Sequence, residues 1–211
     1  YNGVSYGDMW FWKKNTWTKR DVLGDKPSPR NLPVAAYDPV RQIAVLFGGA
    51  LPGGYCGIDE TWEWNGSSWT QMQGSNHPAG RMEHVMAYDS DRQVIVLFGG
   101  FECSNGPFDN DTWEWNGTAW ADRSDPDPIF APSRRSAGAM VYDSARHVLV
   151  MFGGRVDMNN NEVGDTWEGQ WSETSQTYRW TQNLPQPDPS PSPREAHTMV
   201  YDSTNGVSIL Y

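Results

Sequence analysis

Between Arg81 and Trp120 the chain passes through three patterns of apolar and polar positions. Val85-Met86-Ala87-Tyr88-Asp89 is a short run of mostly apolar residues ending at a polar turn, and Val94 to Phe98 is apolar without interruption until Gly99-Gly100 stops it. A loop of ten residues, Phe101 to Asn110, leads into Asp111-Thr112-Trp113-Glu114-Trp115, where Trp alternates with Thr and Glu; Asn116-Gly117 and Trp120 close the segment. An unbroken apolar run fits a strand covered on both faces. Alternation fits a strand with two unlike faces, and Asn-Gly signals a tight type I′ hairpin. The segment therefore predicts four antiparallel strands.

The same landmarks recur along the whole chain. Tyr-Asp pairs stand at Tyr37-Asp38, Tyr88-Asp89, Tyr142-Asp143 and Tyr201-Asp202, at spacings of 51, 54 and 59 residues. Arg30, Arg81, Arg135 and Arg194 each lie seven residues before the Tyr, and diglycines follow the apolar runs at Gly48-Gly49, Gly99-Gly100 and Gly153-Gly154. The third strand carries Trp10, Trp62, Trp113 and Trp167, all expected to be buried between sheets. A Trp recurs seven positions later at Trp17, Trp69 and Trp120, whereas in the third repeat an insertion from Gly169 to Thr177 widens the spacing to 13. Four-strand units of roughly 50 residues are the signature of β-propeller blades.

With its apolar run ending in Gly-Gly, its acidic-Thr-Trp (Glu60-Thr61-Trp62, Asp111-Thr112-Trp113, Asp165-Thr166-Trp167) and its later Trp, the chain resembles the kelch-repeat propellers, such as the central domain of galactose oxidase. The resemblance covers essentially the whole chain. It implies an all-β, kelch-type β-propeller with four repeat equivalents: a half blade at 1–26, blades at 27–76, 77–128 and 129–186, and a half blade at 187–211. The two halves are complementary, and a composite blade built from both ends is one reading. The other is a segment of a larger propeller, which we favour because half sheets alone expose edges and apolar faces.

Composition narrows the function classes. The 12 Trp, 9 Tyr and 7 Phe with 21 Gly and 15 Pro are a strand-and-turn mixture, and no apolar run approaches the ~20 residues of a membrane helix, so no membrane insertion is expected. A formal charge of −10 argues against nucleic acid as partner. Cys56 and Cys103 fall in equivalent loops of neighbouring repeats, which permits a disulfide or leaves two unrelated thiols; a bridge points to an oxidising, extracellular or cell-surface location.

Loops after second strands and between repeats are long and share one end of an up-and-down blade, where binding residues gather on a rigid scaffold. There Tyr55, Phe101, Phe108 and Phe130 lie outside the repeated strand positions, with Asp109 and Asn159 as polar neighbours, and form the candidate contact set for a protein or glycan. Packing of the same rings onto neighbouring loops is the alternative. Asp157, Asn159 and Asn161 alternate as calcium ligands do, but lack the glycine of an EF-hand turn, so calcium is a minor expectation and no other cofactor is called for. The repeated Arg suits either an anion site, as the resemblance to sialic-acid-handling propellers implies, or pairing with the acid that opens each third strand. His84 and His197 share a repeat position that elsewhere holds Pro33 or Gly138, which points to packing. The copper site of galactose oxidase cannot be assembled from this chain's four His and two Cys. Sequons occur at Asn65, Asn110 and Asn116. The leading expectation is a non-enzymatic binding or scaffold module; a sugar-handling enzyme resembling a sialic-acid mutarotase and a subunit of a surface polymer, assembling with further repeats or copies, are the alternatives.

Overall fold

The computed structural model describes residues 5–103, 108–183 and 190–211. Its secondary structure is sixteen strands and one short 3-10 turn, Pro128–Phe130. Three four-stranded antiparallel sheets follow the repeats. Blade one is β3 (Val34–Asp38), β4 (Ile43–Phe47), β5 (Thr61–Trp64) and β6 (Trp69–Met72). Blade two is β7 (Val85–Asp89), β8 (Val94–Phe98), β9 (Thr112–Trp115) and β10 (Trp120–Asp122). Blade three is β11 (Ala139–Asp143), β12 (Val148–Phe152), β13 (Thr166–Ser172) and β14 (Thr177–Asn183). Before and after them stand two-stranded sheets, β1 (Met9–Lys13) with β2 (Thr16–Arg20), and β15 (Met199–Asp202) with β16 (Val207–Leu210). Among the described residues neither two-stranded sheet pairs with another sheet.

First strands of successive sheets adjoin one another, β3 to β7, β7 to β11 and β11 to β15, which places them innermost. The apolar second strands are sealed from both sides: every residue of β8 and β12 is buried. One core joins blades one and two through Phe47, Val45, Ile95, Leu97 and Trp120; another joins blades two and three through Phe98, Val96, Leu149, Met151 and Trp180.

The diglycines have a tertiary cause. Gly49 N–H donates to Arg81 O, Gly100 N–H to Arg135 O and Gly154 N–H to Arg194 O, each at 2.9 Å, so every diglycine is bonded to the segment that leads into the next sheet's first strand. A Cβ on Gly48, Gly99 or Gly153 would stand only 2.4, 2.6 or 2.7 Å from that same carbonyl oxygen. Nearer the axis, Ala137 N–H donates to Glu83 O at 2.8 Å and Ala196 N–H to Ala137 O at 2.7 Å, with a longer 3.5 Å bond from Glu83 N–H to Leu32 O. All four residues hold φ of +55°, a left-handed conformation uncommon away from glycine that this inter-blade ladder supports.

Turn chemistry explains the Tyr-Asp pairs. Asp38, Asp89, Asp143 and Asp202 each accept backbone N–H bonds from the residues two and three further on, closing the turn after the first strand.

Two expectations are corrected. The Asn-Gly hairpins are four-residue connections rather than type I′ turns, because only Gly66 and Gly117 carry positive φ and the strands pair as Trp64 with Trp69 and Trp115 with Trp120. The two-residue turn with both residues left-handed lies instead at Lys14-Asn15. Trp10 is 49% exposed although Trp62 is buried, since among the described residues its sheet lacks a covering neighbour on one side. The insertion in blade three lies in the hairpin, as expected, and lengthens β13 and β14 to seven residues each in continuous register, adding the pair Trp171 with Tyr178.

Candidate functional site

The loops after second strands and the connections between sheets converge on one end of the blades, and beneath them each blade repeats one polar triad. Arg81 forks onto Asp111 through two bonds of 2.5 and 2.9 Å and also donates to Gly99 O at 3.0 Å, while Trp113 Nε1 donates to the same carboxylate at 2.7 Å. Arg135, Asp165 and Trp167 repeat this arrangement. Arg30 keeps the theme with a single bond to Glu60 at 2.6 Å, another to Gly48 O, and Trp62 Nε1 donating to the same carboxylate. Bidentate pairing with a carboxylate uses the guanidinium's donors and fixes its plane. The pairing holds Asp165 below the usual carboxylate range against the opposing effect of its burial, and Glu60 is lowered in the same way. These three cations are therefore committed inside the fold. Arg194 donates to the Ser192 backbone oxygen and hydroxyl and has no carboxylate partner among the described residues.

Arg155, just beyond the third diglycine, ties three sheets together at the inner rim of this end. Its guanidinium bonds Glu83 at 2.6 Å and Ser136 Oγ at 3.2 Å, lies 3.3 Å from Glu195, and rests over the rings of Phe101 and Phe108 at 5.5 and 5.7 Å. No spacing argument singles it out, because its repeat equivalents are Ala50 and Phe101; its partners come together only through folding.

The candidate contact residues divide. Tyr55 is 76% exposed, and Leu51, exposed in the same loop, escaped sequence reasoning. Phe101 and Phe108 are corrected: they are buried, 5.7 Å apart, and with Ala50 and Met82 form a small core under the loops. Phe130 is half-buried under the Arg179 guanidinium at 4.5 Å; its neighbour Ile129 is the exposed large hydrophobic of that turn, and the Asp127 carboxylate accepts Ile129 N–H. Asp109 is buried beside Arg81 at 3.5 Å and cannot serve as an exposed polar contact. Burial pushes its pKa up to about 6, with Arg81 opposing and Asp111 and Glu102 adding to the rise. Asn159 is exposed, and the Asp157 carboxylate is engaged by Asn159 N–H and by both the N–H and the side-chain amide of Asn161, so its oxygens are bonded within their own loop. Among the described residues no group of three or more His, Cys, Asp or Glu is placed to hold a metal ion.

Cys56 and Cys103 are joined by a disulfide, their α-carbons 3.9 Å apart, with Gly57 N–H donating to Glu102 O beside it. The bridge fixes the loop carrying Tyr55 to the loop of the next blade.

His84 and His197 are packing residues. Each stands edge-on to the Phe that ends the preceding blade's second strand, Phe47 or Phe152, at 5.6 Å. Burial, with the Arg81 charge adding, lowers His84 to about 3.

With four-stranded blades, glycine-bonded neighbours and a repeated Arg-acid-Trp triad in place, comparison with known families is decisive: the family model described as the KLHDC2/KLHL20/DRC7 Kelch-repeats domain matches residues 3–209. The chain belongs to the kelch-repeat family. Among solved structures, this kelch chain is similar to YjhT, with 16% sequence identity and a TM-score of 0.57, a likeness that shows the fold alone. The match covers 80% of this chain and 49% of YjhT, so this kelch chain spans about half of that protein's length.

Proposed function

We propose that this kelch module is a non-enzymatic binding protein that docks a protein partner on its loop-rich end, in an extracellular or cell-surface setting. The observation that carries the reading is the Cys56–Cys103 bridge, which holds the Tyr55 and Leu51 loop against the next blade while both side chains face solvent. An exposed aromatic on a pre-ordered loop loses little freedom on binding, which is the property of interface anchors. The bridge also supports the location, since disulfides persist in oxidising compartments.

The saturation of Arg30, Arg81 and Arg135 by carboxylates and carbonyls favours binding over the mutarotase-like alternative, which needs unpaired cations at the axis. A photo-crosslinking residue placed at Tyr55 or Ile129 tests the docking face against the same residue at Ser144, in the opposite turn. Adducts confined to the Tyr55 and Ile129 probes are the expected result. Equal yield from Ser144, or adducts from Ser144 alone, would remove this face from consideration.

A further inference from the structure

We propose that Asn65 and Asn116 are N-glycosylation sites, that Asn110 is not, and that the two glycans project from the end of the blades opposite the loop-rich face. All three carry the Asn-X-Ser/Thr acceptor pattern, as Asn65-Gly66-Ser67, Asn110-Asp111-Thr112 and Asn116-Gly117-Thr118. The fold separates them.

Asn65 and Asn116 occupy equivalent exposed hairpin tips in adjacent blades. In each, the side-chain oxygen does the turn's work. Asn65 Oδ1 accepts Ser67 N–H at 2.9 Å, Ser68 N–H at 2.9 Å and the Ser67 hydroxyl at 2.8 Å. Asn116 Oδ1 accepts Thr118 N–H at 2.9 Å, Ala119 N–H at 2.9 Å and the Thr118 hydroxyl at 2.8 Å. Fixing the oxygen inward turns Nδ2 outward, where it has no partner among the described residues. A sugar on Nδ2 therefore breaks no bond of the fold. Asn110 is the reverse case: it is half-buried, its Nδ2 donates to Pro132 O at 3.3 Å, and the next residue is the Asp111 that holds Arg81. A glycan there would displace the connection between blades two and three.

The reaction is a transfer from an oligosaccharide carried on a lipid diphosphate. The Asn Nδ2 bonds to the anomeric carbon, the carbon–oxygen bond to the diphosphate breaks with its electron pair leaving on the phosphate, and the amide proton passes to the transferase. Since the sugar is added around the time of folding, the folded state decides which modified chains persist. The inference rests on the oxidising location read from the Cys56–Cys103 bridge.

The full chain, produced behind a secretion leader in a eukaryotic cell that performs this transfer, is analysed by peptide mass spectrometry with thiol alkylation in the same sample. Bridged cysteines with glycans at Asn65 and Asn116 and a bare Asn110 are expected. Ser67→Ala and Thr118→Ala should each remove one glycan, because they destroy the acceptor pattern while keeping the Asn that caps the turn. Bridged cysteines with bare Asn65 and Asn116 would overturn the glycosylation proposal and leave the location standing. Free thiols with bare asparagines would overturn both, and a glycan on Asn110 in folded, bridged protein would overturn the selection by the fold.

Discussion

Gly99 combines φ of +65° with a neighbouring carbonyl, Arg135 O, only 2.6 Å from where a Cβ would sit. Gly99→Ala should therefore cost at least about 2 kcal/mol of unfolding free energy by urea titration, from left-handed strain plus displacement of blade three. Two buried ionisable groups give opposite pH dependences. His84 is lowered to about 3 from an ordinary 6.5, so its contribution is full above pH 6.5 and is lost as pH falls towards 3. Asp109 is raised to about 6 from 3.8, so its contribution is full below pH 3.8 and is lost as pH rises through 6. Between pH 6.5 and 4, Asp109→Asn should steepen the fall in stability on acidification and His84→Gln should flatten it. Parallel denaturation profiles for both variants and the parent would show that neither group titrates differently on folding.

At the scale of the element, the outer strands of blades two and three are each held by the preceding blade. Trp120 Nε1 donates to Thr61 Oγ1 at 2.8 Å and Trp180 Nε1 to Thr112 Oγ1 at 3.1 Å, both from buried rings. Trp120→Ala should cost about 3–5 kcal/mol, whereas Trp10→Ala, in a sheet where that ring is half exposed, should cost under about 1 kcal/mol. The long hairpin of blade three adds a second tie: Trp171 lies against Arg92, with its centroid 3.3 Å from the guanidinium carbon, and Arg92 also bonds Tyr178 Oη at 3.0 Å. Phe101→Ala is expected to destabilise rather than to act on binding alone, because that ring lies in the core under the loops.

Across the whole molecule, adjoining blades are joined by backbone bonds from the diglycines, by the axial ladder through Ala137 and Ala196, and by one covalent bridge. That bridge spans a separation of 47 residues, so Cys56→Ser with Cys103→Ser should lose about 2–4 kcal/mol by chemical denaturation. The same double variant should also weaken crosslinking from Tyr55, since the loop would no longer be held against blade two. Unchanged stability would mean that the two loops are ordered without the bridge.

The amino-acid sequence alone determined the repeat, the strand order within a blade and the end at which long loops gather, because these follow from local pattern: apolar runs, alternating Trp, and glycines where a run stops. It also supported pairing of each Arg with its acid, since both recur at constant spacing. The tertiary structure decided what depends on the neighbouring blade. Why two glycines are needed is visible only where Gly49, Gly100 and Gly154 meet the following Arg carbonyl. Phe101 and Phe108 read as free loop aromatics because nothing in the local pattern reveals that Ala50, Met82 and the Arg155 guanidinium cover them. Sequence spacing likewise left the two cysteines as a possible pair, and it was the stacking of blades one and two that brought them into bonding contact. Pattern along a chain records which face of a strand is apolar; which surface meets that face is settled by packing between segments some fifty residues apart.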